Sequence, residues 1–338
     1  MKTIDLRSDT VTKPVIAMKQ AMLEAELGDD VYGEDPTVNR LEEKAALLLG
    51  KEAAIFCASG TQSNLIALMA HCQRGDEYIV GQDAHTYKYE AGGAAVLGSI
   101  QPQPVLVEAD GTLNLDTVEH VIKPDDHHFA KTKLLCLENT IGGKVLPMAY
   151  VDQAKALVDE YQLGFHLDGA RLFNAVVAQQ LDVAKMTKHF DSISICLSKE
   201  LGAPIGSVLV ANADIIRKAR RIRKILGGGM RQAGMLAAAG IYALDNHCQR
   251  LHVDHENATA LEKGLSSIDA IRLHGSAQTN MVFFTAHRQQ QLIDFLATKN
   301  IIISNAKVIR LVTHLDCSAS DIDTVIAAIR QFYDNSTK

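Results

Sequence analysis

The chain has 338 residues, 47% hydrophobic and 22% charged, a balance that buries an ordinary globular core, and no stretch approaches the roughly 20 apolar residues needed to span a bilayer. Lys and Arg number 34 against 40 Asp and Glu, a net charge of -6 that offers nucleic acid and anionic lipid no global attraction, and without tryptophan there is little to stack on single strands. Six cysteines with no C-x-x-C pair argue against a zinc or disulfide framework and for the reduced thiols of a cytoplasmic protein.

In chain order, the N-terminal Met1 to Asp9 alternates charged and apolar residues and lacks the apolar core of a signal peptide, so the protein is expected to stay where it is made. Apolar runs at Ala53–Cys57, Tyr78–Val80, Pro104–Val107, Leu134–Leu137, Phe165–Leu167, Ile193–Leu197 and Val208–Val210 predict buried strands. Helical patterns at Gln62–His71, Val151–Gln162 and Asp214–Leu226 lie between or after them; in the last, Ile215, Ala219, Ile222 and Leu226 line one face. Strand and helix in alternation predict an α/β fold with a mostly parallel sheet and helices on both faces. Beyond Gly227-Gly228-Gly229 a long helix is expected from Met230 to about Lys263, bridging to a smaller α+β unit. That unit should hold a strand near Thr279–Thr285, a helix near Gln289–Lys299, strands within Ile301–Thr313 and a closing helix from Ser320 to Tyr333. The expected division is a large domain over 1–245, including an N-terminal active-site segment, and a small one over 246–338, with a cleft between them.

Ligands of parallel sheets collect at the carboxyl ends of strands, so polar residues directly after the apolar runs are the candidates. Ser59-Gly60-Thr61 follows Cys57 and offers backbone N–H groups and a hydroxyl to a phosphate, although such a turn also serves as a plain helix cap. Asp168-Gly169-Ala170-Arg171 brings an acid and an arginine to the end of Phe165–Leu167, which read by itself is a buried ion pair. Ser198-Lys199 follows Leu197 and places a lysine at the mouth of a buried strand, where it can lose its charge and act as a nucleophile. A phosphate cup, a carboxylate for a pyridinium nitrogen and a lysine for a Schiff base are together what pyridoxal 5'-phosphate requires.

Ile4-Asp5-Leu6-Arg7-Ser8-Asp9-Thr10-Val11-Thr12, Gly28-Asp29-Asp30-Val31-Tyr32-Gly33, Leu167-Asp168-Gly169-Ala170-Arg171 and Leu311-Val312-Thr313-His314 resemble the threonine aldolase family, and the resemblance runs end to end. It implies the aspartate-aminotransferase-type fold and an aldolase of low specificity, splitting L-threonine or L-allo-threonine into glycine and acetaldehyde by retro-aldol cleavage. Lys199 matches the family's Schiff-base lysine, and Asp168 the acid that keeps the ring nitrogen protonated. By the same resemblance Arg171 is expected to reach the cofactor edge and the substrate carboxylate, which Ser8 and Arg310 are placed to help hold. His85 matches the histidine that stacks over the ring, and His128 the family's second histidine; either, or a water it holds, is a base for the β-hydroxyl. The resemblance further brings Lys224 and Arg231 to the phosphate of a neighbouring subunit, in a homotetramer built as a dimer of dimers.

Two positions depart from the family pattern. Ile141-Gly142-Gly143 stands where a histidine and asparagine usually follow Glu138-Asn139-Thr140, so a polar contact at the cleft is expected to be missing. Glu200 replaces the glycine after the Schiff-base lysine, and a carboxylate turned inward there would raise the lysine's pKa. The cations of Asp214–Leu226 (Arg217, Lys218, Arg220, Arg221, Arg223, Lys224) read as a solvated or subunit-facing surface rather than a nucleic-acid site. His247, Cys248, His252, Asp254 and His255 read as an exposed helix rather than a metal site, since their spacing divides the histidines between faces. The alternatives are a pyridoxal-phosphate β-eliminating lyase or aminotransferase, which product analysis separates from an aldolase, or a weakly active cofactor-binding relative.

Overall fold

In the computed structural model, which describes residues 2–334, the predicted apolar runs fall on strands. The twelve strands of the described residues are β1 (Ile4–Asp5), β2 (Ala53–Cys57), β3 (Asp76–Gly81), β4 (Gln101–Val105), β5 (Lys131–Glu138), β6 (Gly164–Gly169), β7 (Ser192–Cys196), β8 (Ser207–Ala211), β9 (Ile271–Leu273), β10 (Met281–Ala286), β11 (Ile301–Ile302) and β12 (Ile309–Val312). Seven of them form one sheet in the order β2-β8-β7-β6-β5-β3-β4. All its pairings are parallel except those of β8, which runs antiparallel to both β2 and β7. Strands β7 and β8 are buried along their whole length, which is why β8 runs apolar from Val208 to Ala211, while the alternating Ser192 and Ser194 of β7 are buried as well.

The run read as Pro104–Val107 is shifted: β4 ends at Val105 and Leu106 is exposed. Pro102 and Pro104 are tolerated there because β4 is an edge strand paired only with β3, so the missing N–H groups leave no ladder bond unmade. Helices Gly60–His71, Met148–Glu160 and Ala213–Ile225 lie where helical spacing placed them.

The long helix expected from Met230 to Lys263 is two helices, Gly234–Asn246 and Leu251–Ser266. No proline or glycine marks the break. His247 turns inward at the end of the first helix, and its Nδ1–H donates to the Leu201 carbonyl at 2.6 Å, which takes the chain out of helical register. The expectation of an exposed helix over the His247 cluster is corrected with it. His247 and Asp254 are buried, Asp254 is bound by Arg250, and His255 Nε2 meets Asn174 Oδ1 at 2.8 Å.

The C-terminal unit has the antiparallel sheet β9-β10-β12 and the closing helix Ala319–Asp334. Strand β1 pairs in parallel with β11, so the start of the chain is held by its end. Two separate cores reflect this: one gathers Leu41, Phe165, Ile193, Val208 and Leu244, and the other joins Ile4 and Leu6 to Leu261, Phe284, Leu311 and Ile329.

Candidate active site

Sheet register decides which loops share an end. Ser207 of β8 pairs with Cys57 on one side and Cys196 on the other, so the Ser59 turn and the Ser198-Lys199 turn leave the sheet one strand apart. Two strands further on, Asp168 pairs with Ser194 of β7 and with Glu138 of β5. Above this end opens a cleft of about 820 Å³, whose polar lining includes Ser8, His85, Glu138, Arg171, Lys199 and Arg310. Ile141, Met281, Phe283 and Val308 make its apolar side, so the missing polar contact at Ile141 is a hydrocarbon wall.

Asp168 is buried under the cleft. Its Oδ1 accepts from Ala170 N at 3.1 Å and its Oδ2 from Asn64 Nδ2 at 2.8 Å. The same Asn64 amide donates to Glu90 Oε1 at 2.9 Å, and Glu90 Oε1 also accepts from His85 Nδ1 at 2.8 Å. Burial raises the Glu90 carboxyl above the usual carboxylate range, and the bond to Glu90 raises His85 above a free imidazole. His85 N donates to Glu138 Oε2 at 2.7 Å. Burial and the nearby charge of Asp168 push Glu138 up to about 7.

Arg171 forks onto Asp9, with Nε and Nη2 each 2.6 Å from a carboxylate oxygen. Burial opposes the Asp9 charge, but Arg171 outweighs it and brings the carboxyl down to about 2. Asn280 Nδ2 adds a contact to Asp9 at 3.3 Å. Arg310 Nη2 donates to the Arg7 carbonyl at 3.3 Å, and Ser8 Oγ accepts from Thr10 N at 3.3 Å.

Ser59 caps the helix Gly60–His71 by accepting from Gln62 N, while Gly60 and Thr61, its first residues, carry N–H groups with no partner inside the helix. Beside them Ser207 Oγ is buried without a hydrogen-bond partner, and a Cβ on Gly60 would sit 3.5 Å from it. Ser198 Oγ lies 3.5 Å from Cys196 Sγ. Ser59, Gly60, Thr61, Asp168 and Ser198 sit at this end of the sheet without lining the cleft, and a further three expected site residues lie on the exposed surface. His128 is exposed and paired with Asp126 at 2.6 Å, Lys224 is exposed, and Arg231 is exposed and paired with Asp29 at 2.9 Å. The surface reading of the cationic helix is corrected in part, because Arg223 is buried on Asp30 at 2.7 Å and Arg220 ties back to Glu42.

Glu200 is turned inward. It is fully buried, neither carboxylate oxygen has a hydrogen-bond partner, and burial together with the charge of Asp9 pushes it up to about 8. Asp9, Asn64, Glu90 and Glu138 are the network residues that sequence reasoning passed over. Asp9 stood inside a motif already singled out; Glu90 lies five residues after His85, and Asn64 four after Gly60, a spacing that carries no chemical signal alone.

The model of the beta-eliminating lyase family matches residues 5–287. A low specificity L-threonine aldolase of Escherichia coli (strain K12) is 55% identical over 97% of this chain and 99% of its own. The low-specificity L-threonine aldolase 1 of Arabidopsis thaliana is 42% identical over 98% of this chain and 96% of its own. Among solved structures, a threonine aldolase of Leishmania major superposes with a TM-score of 0.84 over 97% of this chain and 99% of its own, at 22% identity.

Proposed function

The chain belongs to the threonine aldolases of the beta-eliminating lyase family, with the aspartate-aminotransferase-type fold, and we infer from that membership and from its cleft that it is a pyridoxal-phosphate-dependent aldehyde-lyase. It cleaves the Cα–Cβ bond of L-threonine and L-allo-threonine to give glycine and acetaldehyde. The observation that carries the reading is the convergence of Lys199, His85, Arg171 and Arg310 on one cleft, with Asp168 buried beneath it.

The residues present fit pyridoxal 5'-phosphate. The orphaned Ser207 hydroxyl lies beside the open N–H groups of Gly60 and Thr61, a donor set suited to a phosphate, with Ser59 and Ser198 flanking it. Lys199 stands one strand away to hold the aldehyde carbon, and Asp168 is the acid for the ring nitrogen. When bound, the cofactor supplies an electron sink for charge developing at Cα.

The chain's own residues supply binding and proton transfer. Ser8, Arg171 and Arg310 hold the substrate carboxylate; Arg171 meets it pre-oriented, because Asp9 already fixes two of its guanidinium nitrogens. His85 is the base for the β-hydroxyl. Its Nδ1–H is committed to Glu90, which leaves Nε2 as a bare acceptor on a residue lining the cleft. His128, exposed on the single chain and held by Asp126, is assigned to telling the two diastereomers apart in the cleft of a neighbouring subunit, since it does not line its own. Lys224 and Arg231 are assigned to the phosphate of a neighbouring subunit in a homotetramer, an assignment that suits two cations exposed on the single chain. A cytoplasmic location is part of the proposal, supported by six scattered cysteines without a C-x-x-C pair.

One assay with L-threonine and L-allo-threonine in parallel tests the reading. The expected products are glycine and acetaldehyde, formed by the parent and abolished in Lys199→Ala, with the ratio of the two rates altered in His128→Phe. A keto acid and ammonia as products, or turnover by Lys199→Ala at the parent's rate, overturns it.

A further inference from the structure

Behind Asp168 lies a run of buried polar side chains that the proposed chemistry does not use. His71 Nε2 is 2.8 Å from Ser192 Oγ, and Ser192 Oγ is 2.7 Å from His166 Nδ1. His166 Nε2 is 3.4 Å from Asn64 Oδ1, and Asn64 Nδ2 is 2.8 Å from Asp168 Oδ2. Strand pairing sets one link, since His166 of β6 lies opposite Ser192 of β7, while Asn64 and His71 both belong to the helix Gly60–His71 packed on these strands.

Counting protons gives this run a single direction. Asn64 faces two carboxylates, Asp168 and Glu90, which only accept, so its amide nitrogen points at them and its oxygen at His166. That oxygen only accepts, so His166 carries its proton on Nε2. Burial, with His71 nearby, holds His166 neutral at a pKa of about 3, which leaves Nδ1 bare to accept from the Ser192 hydroxyl. The hydroxyl has spent its one proton, so His71 must donate to it from Nε2. Burial keeps His71 neutral too, at about 4, despite Asp191 nearby, and its Nδ1 is bare. Room for that ring comes from Gly164, where a Cβ would stand 2.8 Å from His71 Nδ1.

We propose that His71, Ser192, His166 and Asn64 form a relay of fixed polarity in which every hydrogen bond points toward Asp168, and that His166 and Asn64 act as positioning residues for the acid that would hold the cofactor's ring nitrogen. The relay locks the Asn64 amide so that one nitrogen serves both Asp168 and Glu90, and through Glu90 it also sets the ring of His85. The acid assigned to the ring nitrogen and the base assigned to the β-hydroxyl are thereby held by one side chain. This rests on the aldolase reading only for what the relay serves; its polarity can be read independently of turnover.

The test uses holoenzyme with 15N-labelled histidine, His71 and His166 being assigned by loss of a signal in His71→Gln and in His166→Gln. Both rings are expected as neutral Nε2–H tautomers that do not titrate between about pH 5 and 9; an Nδ1–H tautomer or titration of either ring in that range overturns the polarity. The positioning role is read from kcat against KM. His166→Leu, which removes the donor to Asn64, should lower kcat by at most roughly ten-fold with KM and cofactor content little changed, the lower end of what a residue behind a ligand group shows, because Asn64 stands between His166 and Asp168. His166→Gln, which keeps an N–H in reach, should restore most of it. If His166→Leu lowers only the melting temperature while the folded enzyme turns over normally, or if His166→Gln fails like leucine while still folded, the positioning role is overturned. Absence of aldolase activity in the parent would sink the functional reading and leave the tautomer result standing.

Discussion

At the scale of single residues, carboxylates without a countercharge do most to set the behaviour of the site. Glu90 is buried and holds the Nδ1–H of His85, so it favours the protonated imidazole, and a base must shed that proton before it can work. The acid limb of kcat/KM should therefore lie above the pH of a free imidazole, and Glu90→Gln should move it down. A pH profile of the two enzymes with L-threonine checks this, and identical limbs would remove Glu90 from the control of His85. Glu200 gives a second pH dependence. Its folded pKa of about 8 lies above the ordinary carboxylate value, so folding favours its neutral form; the stability that form contributes is complete at acid pH and is lost as pH rises through about 8. Glu200→Gln keeps the shape without the charge. Melting curves of parent and variant should separate progressively from about pH 5 upward, the variant being the more stable, and parallel curves across that range would mean the carboxylate is not buried in solution. Lys199, Asp168 and Arg171 were legible in the sequence because strand-end positions mark them, whereas His85 was singled out only by the family resemblance. Asn64 and Glu90 were not, because they act through other side chains, and only the fold brings residues 26 apart into one hydrogen bond.

At the scale of elements, buried caps join segments that the sequence shows separately. Asp35 caps the helix Pro36–Leu48 by accepting from Thr37 N and Val38 N, and its other oxygen accepts from Gly28 N at 3.2 Å and Gly234 N at 2.8 Å. One carboxylate thus ties the N-terminal loop, its own helix and the start of Gly234–Asn246. A Cβ on Gly234 would stand 2.4 Å from Asp35 Oδ1, which explains a glycine at that helix start. Asp35→Ala should cost about 1 kcal/mol for the cap and a further 1–3 kcal/mol for the buried N–H groups left unpaired, measured by denaturant unfolding. A loss under about 0.5 kcal/mol would show that water replaces the carboxylate there. Elements like this were half legible. Apolar runs located the strands because burial on both faces demands them, and the expected break at Gly227–Gly229 is real. The break at His247 was not, because it comes from a side chain bonding a carbonyl 46 residues away rather than from a helix breaker. Strand β9 was also passed over, being three half-exposed residues with no apolar run.

At the scale of the whole molecule, the N-terminal segment links the two cores at the point where the cleft lies between them. Ile4 and Leu6 are buried in the C-terminal core and β1 adds to β11, while a few residues later Asp9 accepts the fork of Arg171, which follows β6 of the large sheet. Asn280, just before β10, reaches the same carboxylate. Asp9 is therefore a buried anion shared by the large sheet, the C-terminal unit and the chain's own start, and its partner Arg171 is also the residue assigned to the substrate. Removing one charge of a buried pair strands the other, at a cost of about 3–5 kcal/mol. Asp9→Asn should lower stability by that order. It should also weaken the coupling of the two cores, so that calorimetric unfolding broadens or splits into two transitions where the parent gives one. Because Arg171 would lose the contact that orients it, KM for L-threonine should rise more than kcat falls. Glycine binding, which needs the carboxylate site but no β-hydroxyl, separates this from damage to His85: it should weaken in parallel with KM. An Asp9→Asn enzyme that melts as the parent does and binds glycine equally well would show that the ion pair neither joins the cores nor orients the arginine.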